Sequence, residues 1–168
     1  MVVDTSFILS HLHLIEAMVG LHETYRSVIV IPWATIQELD GLRKSSRRIT
    51  ITSSVGLAGS KYAKGAEKSV EVALLARQAV NWQYKMFQTM NKGIWGQKKE
   101  ESIENHRVGD DAILDCCRYV FILGNQVYAN FVLTEIRFFS EKKGFTTVLL
   151  SDDRNLCVKA NIYGNYLP

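Results

Sequence analysis

Short runs of consecutive apolar residues alternate along this chain with longer segments whose apolar side chains recur at helical spacing. The runs lie within residues 1–4, 27–32 and 146–150. An unbroken apolar run is typical of a strand that is buried on both faces of a parallel sheet. Apolar residues three and four positions apart predict helices over residues 6–20, 33–42, 69–90, 110–123 and 132–143, and from residue 155 onward.

Strands that alternate with helices predict a three-layer α/β/α domain with a central parallel sheet. The 168 residues suit one domain with a sizeable core. Because the first predicted strand begins at the first residue, we expect this single domain to be part of a longer protein. Residues 44–69 and 91–108 are polar and predict two long loops, the first with room for a short strand at residues 48–52.

Composition excludes several classes of protein. Apolar residues make up 47% of the chain and there are two prolines, which is typical of a globular protein. No stretch of the sequence is apolar for long enough to span a bilayer, and no signal-peptide pattern begins it. Three cysteines without a C-x-x-C pair argue against a disulfide framework and a structural zinc site, and fit a reducing intracellular compartment.

Four acidic residues follow predicted strands or open predicted helices, namely Asp4, Glu38, Asp110 and Asp153. Ligands of parallel α/β sheets bind beyond the carboxyl ends of the strands, so we expect these acids to converge at one edge. Each acid alone has a plainer interpretation as a helix N-cap or a turn residue, because aspartate favours both places. Four acids at one edge are harder to explain in that way.

Such a cluster of carboxylates favours a metal ion. Buried carboxylates repel one another unless a cation neutralises them, and oxygen ligands favour Mg²⁺ or Mn²⁺. The net charge is +3, and the basic residues gather in three places: Arg43, Lys44, Arg47 and Arg48, then Lys61, Lys64 and Lys68, and then Lys98 and Lys99. Most basic clusters are simply solvated surface, whereas the functional alternative is a surface that attracts phosphates. The four acids and the basic residues together suggest metal-assisted attack on a phosphodiester.

The predicted helix that begins at residue 110 carries three acids whose directions differ. Its apolar residues between positions 113 and 120 have the i, i+3, i+4, i+7 spacing of a core face. At about 100° per residue, Asp110 lies roughly 70° from the centre of that face and Asp111 roughly 170° away. Asp115 points in nearly the same direction as Asp111. We therefore expect Asp110 to face the site, and Asp111 and Asp115 to face solvent or support the site from outside.

Four segments of the sequence resemble a known family. They are "VVDTSFIL", "IPWATIQELDGL", "GDDAILDCC" and "VLLSDDRNLCVKA", and they cover nearly the whole chain in this order. Together they resemble the PIN-domain nucleases, most closely the eukaryotic group of mRNA quality-control endoribonucleases.

The resemblance implies roles for individual residues. Its catalytic and metal-binding acids correspond to Asp4, Glu38, Asp110 and Asp153. In "GDDAIL" the family acid stands three residues before the isoleucine, at Asp110, which agrees with the helix geometry. In "SDDRNL" the family acid is Asp153, which leaves Asp152 as a carboxylate at the rim. The residues with an implied supporting role are Ser6, Asp111, Ser151 and Asp152.

The function implied by the resemblance is Mg²⁺- or Mn²⁺-dependent cleavage of single-stranded RNA, in nuclear mRNA quality control. The basic cluster would then bind the RNA backbone without reading its sequence. Trp95 is an equal candidate for base stacking and for the core. No histidine is placed by the sequence pattern to act as a general base.

Two other classes of function are weighed against this one. A phosphatase of the haloacid dehalogenase type also has an acid after its first strand, but needs D-x-D where this chain has "DTS". A catalytically weak RNA- or protein-binding PIN module would be favoured by missing acids, and all four are present.

Overall fold

The computed structural model describes residues 1–44, 48–51, 68–104, 107–135 and 146–164. The elements in chain order are β1 (Val2–Val3), α1 (Thr5–Gly20), α2 (His22–Tyr25), β2 (Ile29–Ile31), α3 (Trp33–Leu42), β3 (Arg48–Ile51), β4 (Lys68–Glu71), α4 (Val72–Gln88), β5 (Ile94–Gly96), α5 (Asp110–Glu135), β6 (Leu149–Leu150) and α6 (Arg154–Gly164).

The central sheet has four parallel strands in the order β5-β2-β1-β6. Strand β1 pairs with β2 through Val2 opposite Val30 and with β6 through Val2 opposite Leu149. Helices cover both faces, so the predicted three-layer α/β/α fold with a central parallel sheet is confirmed. A separate antiparallel pair, β3 and β4, lies outside this sheet.

The pleat of β1 divides the core into two halves. Val2 and Val3 are both fully buried but belong to different apolar clusters. Successive side chains of a strand point to opposite faces, so each of these valines supports one layer of helices. The Val3 side packs against residues of α1, α3 and α4, and the Val2 side against residues of α3, α5 and α6. This double burial explains why the strands read as unbroken apolar runs.

Strand β5 lies inside a segment that the sequence pattern predicts as loop, and that part of the prediction is wrong. Three residues are too few to show a periodic pattern, and the strand is recognised only by its pairing with β2. The backbone N–H of Ile29 donates to the carbonyl of Gly93 at 2.8 Å, and that of Gln97 to the carbonyl of Ile31 at 2.9 Å. Trp95 stacks on Tyr119 with ring centroids 6.2 Å apart, which supports its core interpretation.

Two predicted helix boundaries also differ from the structure. Helix α5 continues through the predicted break between residues 123 and 132, because a single glycine, Gly124, costs about 1 kcal/mol without ending a helix. The predicted end near residue 143 lies outside the described residues. Helix α4 begins at Val72 rather than at residue 69, because residues 68–71 pair with the short strand anticipated near residue 48. Of the described helices, none has both the length and the apolar character of a bilayer span.

Gly93 provides a test of the packing at the amino end of β5. A Cβ at this position would lie 2.6 Å from the carbonyl oxygen of Val19 and 3.0 Å from Cβ of His22. We expect Gly93→Ala to lower the free energy of unfolding by about 1–3 kcal/mol, because backbone must move to relieve the contact. Urea denaturation followed by circular dichroism measures this change.

Gly20→Ala is the matched control for that substitution. A Cβ on Gly20, at the end of α1, meets no atom within 4 Å. We expect this variant to be unchanged or stabilised by up to about 1 kcal/mol, since alanine is the better helix former. Equal losses in the two variants would contradict the packing argument.

Candidate active site

Asp4 lies at the carboxyl end of the central strand β1, where it is only 3% exposed. Its Oδ1 accepts a hydrogen bond from the backbone N–H of Phe7 at 2.8 Å, so it is the N-cap of α1. The hydroxyl of Ser6 lies 3.0 Å from both carboxylate oxygens, and the hydroxyl of Ser151 donates to Oδ2. Asp4 is therefore a helix cap, as the plainer interpretation predicts. That interpretation does not explain the hydrogen bonds from the hydroxyls of Ser6 and Ser151.

The two serines connect Asp4 to the turn that follows β6. The hydroxyl of Ser151 accepts from the backbone N–H of Asp153 at 2.9 Å, and that of Ser6 accepts from the backbone N–H of Asp152 at 3.2 Å. The backbone N–H of Asp4 itself donates to the carbonyl of Leu150 at 3.1 Å. The ends of two adjacent parallel strands are thus joined through one carboxylate.

Asp153 presents one of its oxygens away from its own helix. Oδ1 accepts from the backbone N–H groups of Asn155 at 2.8 Å and Leu156 at 3.3 Å, which makes Asp153 the cap of α6. No side chain or backbone group in the described part of the chain bonds to Oδ2. The residue is exposed, so this oxygen is open to a ligand at the carboxyl edge of the sheet.

A histidine lies at the rim of this edge, which the sequence analysis did not anticipate. Nε2 of His11 is 3.2 Å from Oδ2 of Asp152, and its ring lies against Phe7. The backbone of α1 departs from helical geometry at His11 (φ −132°, ψ 31°). A regular helical projection therefore does not predict where this side chain points.

Glu38 reaches the site from α3. The hydroxyl of Thr5, the residue after Asp4, donates to Oε2 of Glu38. Helix α3 starts directly beyond β2 and is tied to β1, since the hydroxyl of the buried Thr35 donates to the carbonyl of Val3 at 3.4 Å. Glu38 is thus bonded to the residue that follows Asp4, and a shared metal site of the two acids stays a prediction.

Asp110 and Asp111 share a lysine that sequence reasoning missed. Nζ of Lys159, on α6, lies 3.1 Å from Asp110 and 3.5 Å from Asp111. Hydrogen bonding to Asp110 is the main cause of a raised pKa of Lys159. The Asp110 side chain is 36% exposed and that of Asp111 51%, so their burial differs in the predicted direction but by little. The sequence signal that could have pointed to Lys159 is its position six residues after Asp153, in the helix that Asp153 caps.

Asp115 does not face solvent, which was the first of the two placements predicted for it, because it is 1% exposed. Its carboxylate accepts from the backbone N–H groups of Ile103 at 2.9 Å and Glu104 at 3.2 Å. The segment of residues 97–104 covers this side of α5, which the apolar stripe of the helix does not reveal. Gln97 holds the same segment: its Oε1 accepts from the backbone N–H of Trp33 at 3.1 Å, and its Nε2 donates to the carbonyl of Glu101.

The predicted basic cluster is only partly described. Arg43 and Lys44 both pair with Asp40, at 2.6 Å and 3.3 Å. Arg47 and the side chain of Arg48 lie outside the described residues. Binding of RNA by this cluster therefore stays a prediction.

The two adjacent cysteines belong to the core. Cys116 is fully buried, and Cys117 packs against the same apolar cluster. Burial raises the pKa of both thiols, that of Cys117 to about 12. Both remain protonated and apolar at neutral pH, which is unsuited to metal binding.

The predicted acids suit a hard metal ion by their donor chemistry. All four are carboxylates, and Mg²⁺ is commonly held by one or two carboxylates together with waters and substrate phosphates. As placed, no three His, Cys, Asp or Glu side chains of the described residues lie close enough together to hold a metal ion. Asp110 is paired with Lys159, whereas Asp153 has a carboxylate oxygen without a described partner. These four carboxylates fit a metal ion that is bound by one or two protein ligands, with waters and substrate phosphates as the others.

Comparison with known proteins gives the family. The sequence profile of the PIN domain matches residues 1–165. The chain belongs to the PIN domain family. It is 35% identical over 159 residues to "Transcriptional protein SWT1" of Saccharomyces cerevisiae, and 34% identical over 164 residues to "Transcriptional protein swt1" of Schizosaccharomyces pombe. These alignments cover 95% and 96% of this chain.

The resemblance inferred from the four segments is therefore confirmed. This PIN domain spans only 29% and 26% of the two relatives, which are much longer proteins. PIN domains are generally nucleases and typically use divalent metal ions.

Asp115→Asn tests the anchoring of residues 97–104. Both carboxylate oxygens accept a backbone N–H, and the amide group of asparagine replaces one acceptor by a donor. We expect a loss of about 1–3 kcal/mol in the free energy of unfolding, since one buried N–H loses its partner. Urea denaturation checks this. Asp111→Asn is the control, because Asp111 is half-exposed and we expect its free energy of unfolding to change by less than about 1 kcal/mol. A loss in Asp115→Asn no larger than that of the control would contradict the anchoring role.

Proposed function

We propose that this PIN domain is a Mg²⁺- or Mn²⁺-dependent endoribonuclease that cleaves single-stranded RNA, as part of a longer nuclear protein of mRNA quality control. The observation that carries the proposal is the carboxylate of Asp4, buried at the end of the central strand and joined by serine hydroxyls to the turn that holds Asp153. The names of the two relatives, which refer to transcription, support a substrate among RNA transcripts.

The metal ion would be held by one or two carboxylates drawn from Asp4, Glu38, Asp110 and Asp153, together with waters and substrate phosphates. When bound, it supplies Lewis-acid activation of the scissile phosphate and of the attacking water. Ser6 and Ser151 fix the orientation of the Asp4 carboxylate, because each donates to it while accepting a backbone N–H. Support of this kind around metal ligands commonly changes metal affinity or activity by about 10–100-fold.

Lys159 contributes positive charge beside the acids. Its ammonium group offsets the repulsion between Asp110 and Asp111 and joins the start of α5 to α6, the helix that begins after Asp153. An RNA phosphate brings further negative charge to this edge. A lysine at that place therefore favours the approach of the substrate as well as the assembly of the acids.

A catalytically weak RNA- or protein-binding PIN module is the second candidate. The observation that favours it is the pairing of Asp110 with Lys159, together with the lack of three converging metal-binding side chains among the described residues. In this case the acids would serve as helix caps and surface ion pairs. Incubation of the domain with circular single-stranded RNA in Mn²⁺, with and without EDTA, distinguishes the two functions, because only an endonuclease opens a circle.

Asp4→Asn is the principal test of the catalytic site. Asparagine caps a helix about as well as aspartate, so we expect the fold to remain while the negative charge is lost. Cleavage of circular RNA in Mn²⁺ should fall on the order of 100-fold or more. Asp40→Asn, which alters an exposed acid on α3, is the matched control and should cleave normally. Wild-type rates in Asp4→Asn would show that the site is assigned to the wrong residues.

The neighbouring acids Asp110 and Asp111 give a second test. The apolar stripe of α5 predicts that Asp110 faces the site and that Asp111 faces away from it. Both acids lie beside Lys159, and Asp110 is the less exposed of the two. We expect Asp110→Asn to lose most of the cleavage activity and Asp111→Asn to keep most of it, as measured by initial rates at saturating Mn²⁺. If Asp111→Asn is instead the inactive variant, the two roles must be exchanged.

A further inference from the structure

A cavity of about 470 Å³ lies beside the acids, between α3, the segment of residues 97–104 and the first turn of α5. Its volume falls within the range of pockets that hold small organic groups, roughly 300–1,000 Å³. Glu38 forms part of its wall, so the cavity adjoins the candidate active site. The segment that closes it belongs to a predicted loop and carries the basic pair Lys98 and Lys99.

The outer wall of this cavity is fixed before any ligand enters. Gln97 and Asp115, which are 5% and 1% exposed, use their side chains to bind the backbone of residues 101, 103 and 104. The backbone N–H of Lys98 also donates to Oε2 of Glu101 at 2.8 Å. Burying an aspartate in order to hold a loop is unfavourable unless its hydrogen bonds are made, as they are here. A wall of this kind lowers the entropic cost of binding a ligand.

The rim of the cavity carries two lysines at the same edge of the sheet as the acids. Lys98 and Lys99 follow β5, and the carboxyl ends of β5 and β1 lie on one side because the strands are parallel. Both lysines are exposed. Lys98 lies 4.0 Å from Glu101, and Lys99 forms no ion pair with another described residue. These ammonium groups are available for phosphates.

The interior of the cavity combines apolar and amide groups. Trp33 and Ala112 contribute apolar surface, and the exposed Gln37 contributes a side-chain amide. The indole N–H of Trp33 is shielded from solvent and has no hydrogen-bond partner in the described part of the chain. Buried polar groups are normally paired, whereas this donor is unsatisfied within the described part of the chain. A nucleobase has the matching combination of flat apolar faces and polar edges.

We propose that this cavity binds the base of a nucleotide next to the scissile phosphate, with Gln37 bonded to the base edge and Lys98 and Lys99 bonded to the adjoining phosphates. The proposal rests on the proposed function, because it takes single-stranded RNA as the ligand. Bases of single-stranded RNA are free to turn away from their neighbours and enter such a pocket. Cations at the rim favour phosphates, and the acids in the wall, Glu38 and Glu104, disfavour an acidic peptide, whose carboxylates would have to enter the cavity.

The lysines are tested by RNA binding in EDTA, where no metal-dependent cleavage occurs. The affinity of the chain for a short single-stranded RNA is measured over a range of salt concentrations. The double variant Lys98→Ala/Lys99→Ala should bind more weakly, and its salt slope should fall by about 1.4, since each phosphate contact on a single strand contributes about 0.7. Lys92→Ala is the matched control, because Lys92 precedes β5 and lies at the opposite edge of the sheet. Equal slopes for the two variants would overturn the proposal.

The base is tested with RNAs that carry one abasic position each. We expect one position next to the cleavage site to lose about tenfold in affinity, and the others less. If Gln37 bonds to the base, the two form a coupled pair in the wild type. The loss of affinity at that position should therefore be smaller in Gln37→Ala, where the bond is already absent. A loss that is uniform along the RNA, or the same in wild type and Gln37→Ala, would overturn the base subsite.

The two proposals fail separately. Absence of cleavage in Mn²⁺ together with lysine-dependent binding in EDTA would remove the nuclease function and keep the nucleotide subsite. Cleavage in Mn²⁺ together with RNA binding that is unchanged in Lys98→Ala/Lys99→Ala would support the nuclease function and contradict the nucleotide subsite.

Discussion

The buried carboxylate of Asp4 is the interaction on which the candidate site depends. A charge that is almost out of contact with water is stable only when its hydrogen bonds are satisfied. Here the first turn of α1 provides one donor, and Ser6 and Ser151 provide the others. These donors come from both ends of the chain, so a single carboxylate fixes the start of a helix, the end of the central strand and the turn after the neighbouring strand.

The remaining acids are arranged around that fixed point by weaker contacts. Glu38 accepts a hydrogen bond from the hydroxyl of Thr5, the residue after Asp4, and the backbone N–H of Asp153 donates to Ser151. Asp110 is held at the start of α5 by an exposed ion pair with Lys159, an interaction whose contribution to stability is typically at most about 1 kcal/mol. The candidate site thus combines one buried carboxylate held by several hydrogen bonds with others held by fewer contacts.

Much of the fold could be predicted from the sequence because the central strands are buried on both faces. The apolar runs around Val2 and Val30 reflect that burial directly, and the helices between the strands reflect theirs by spacing. The run around Leu149 belongs to the partly buried edge strand β6. The edge strand β5 could not be predicted, since its three residues carry no periodic signal and depend on hydrogen bonds to β2. The predicted interruption of α5 was wrong because Gly124 and its polar neighbours weaken a helix locally, while the rest of the helix maintains it.

The candidate acids were placed by sequence because each follows a strand or opens a helix. The residues that were missed act across elements that are distant in sequence. Asp115 is buried by residues twelve positions earlier, and Lys159 meets acids 48 and 49 positions away. His11 lies near Asp152 only because α1 is kinked. No local pattern encodes these contacts, which arise when separate elements pack together.

The pairing of β1 with β6 also determines when the site can exist during synthesis. Asp4 is translated well before its partner Ser151, which is 147 positions later. At roughly 5–20 residues per second, Asp4 waits on the order of 10 seconds for that partner to be made. Closing so long a loop is also slow compared with forming a helix. The nascent domain therefore carries Asp4 without its Ser151 hydrogen bond until β6 has been made, and the site can form only after that.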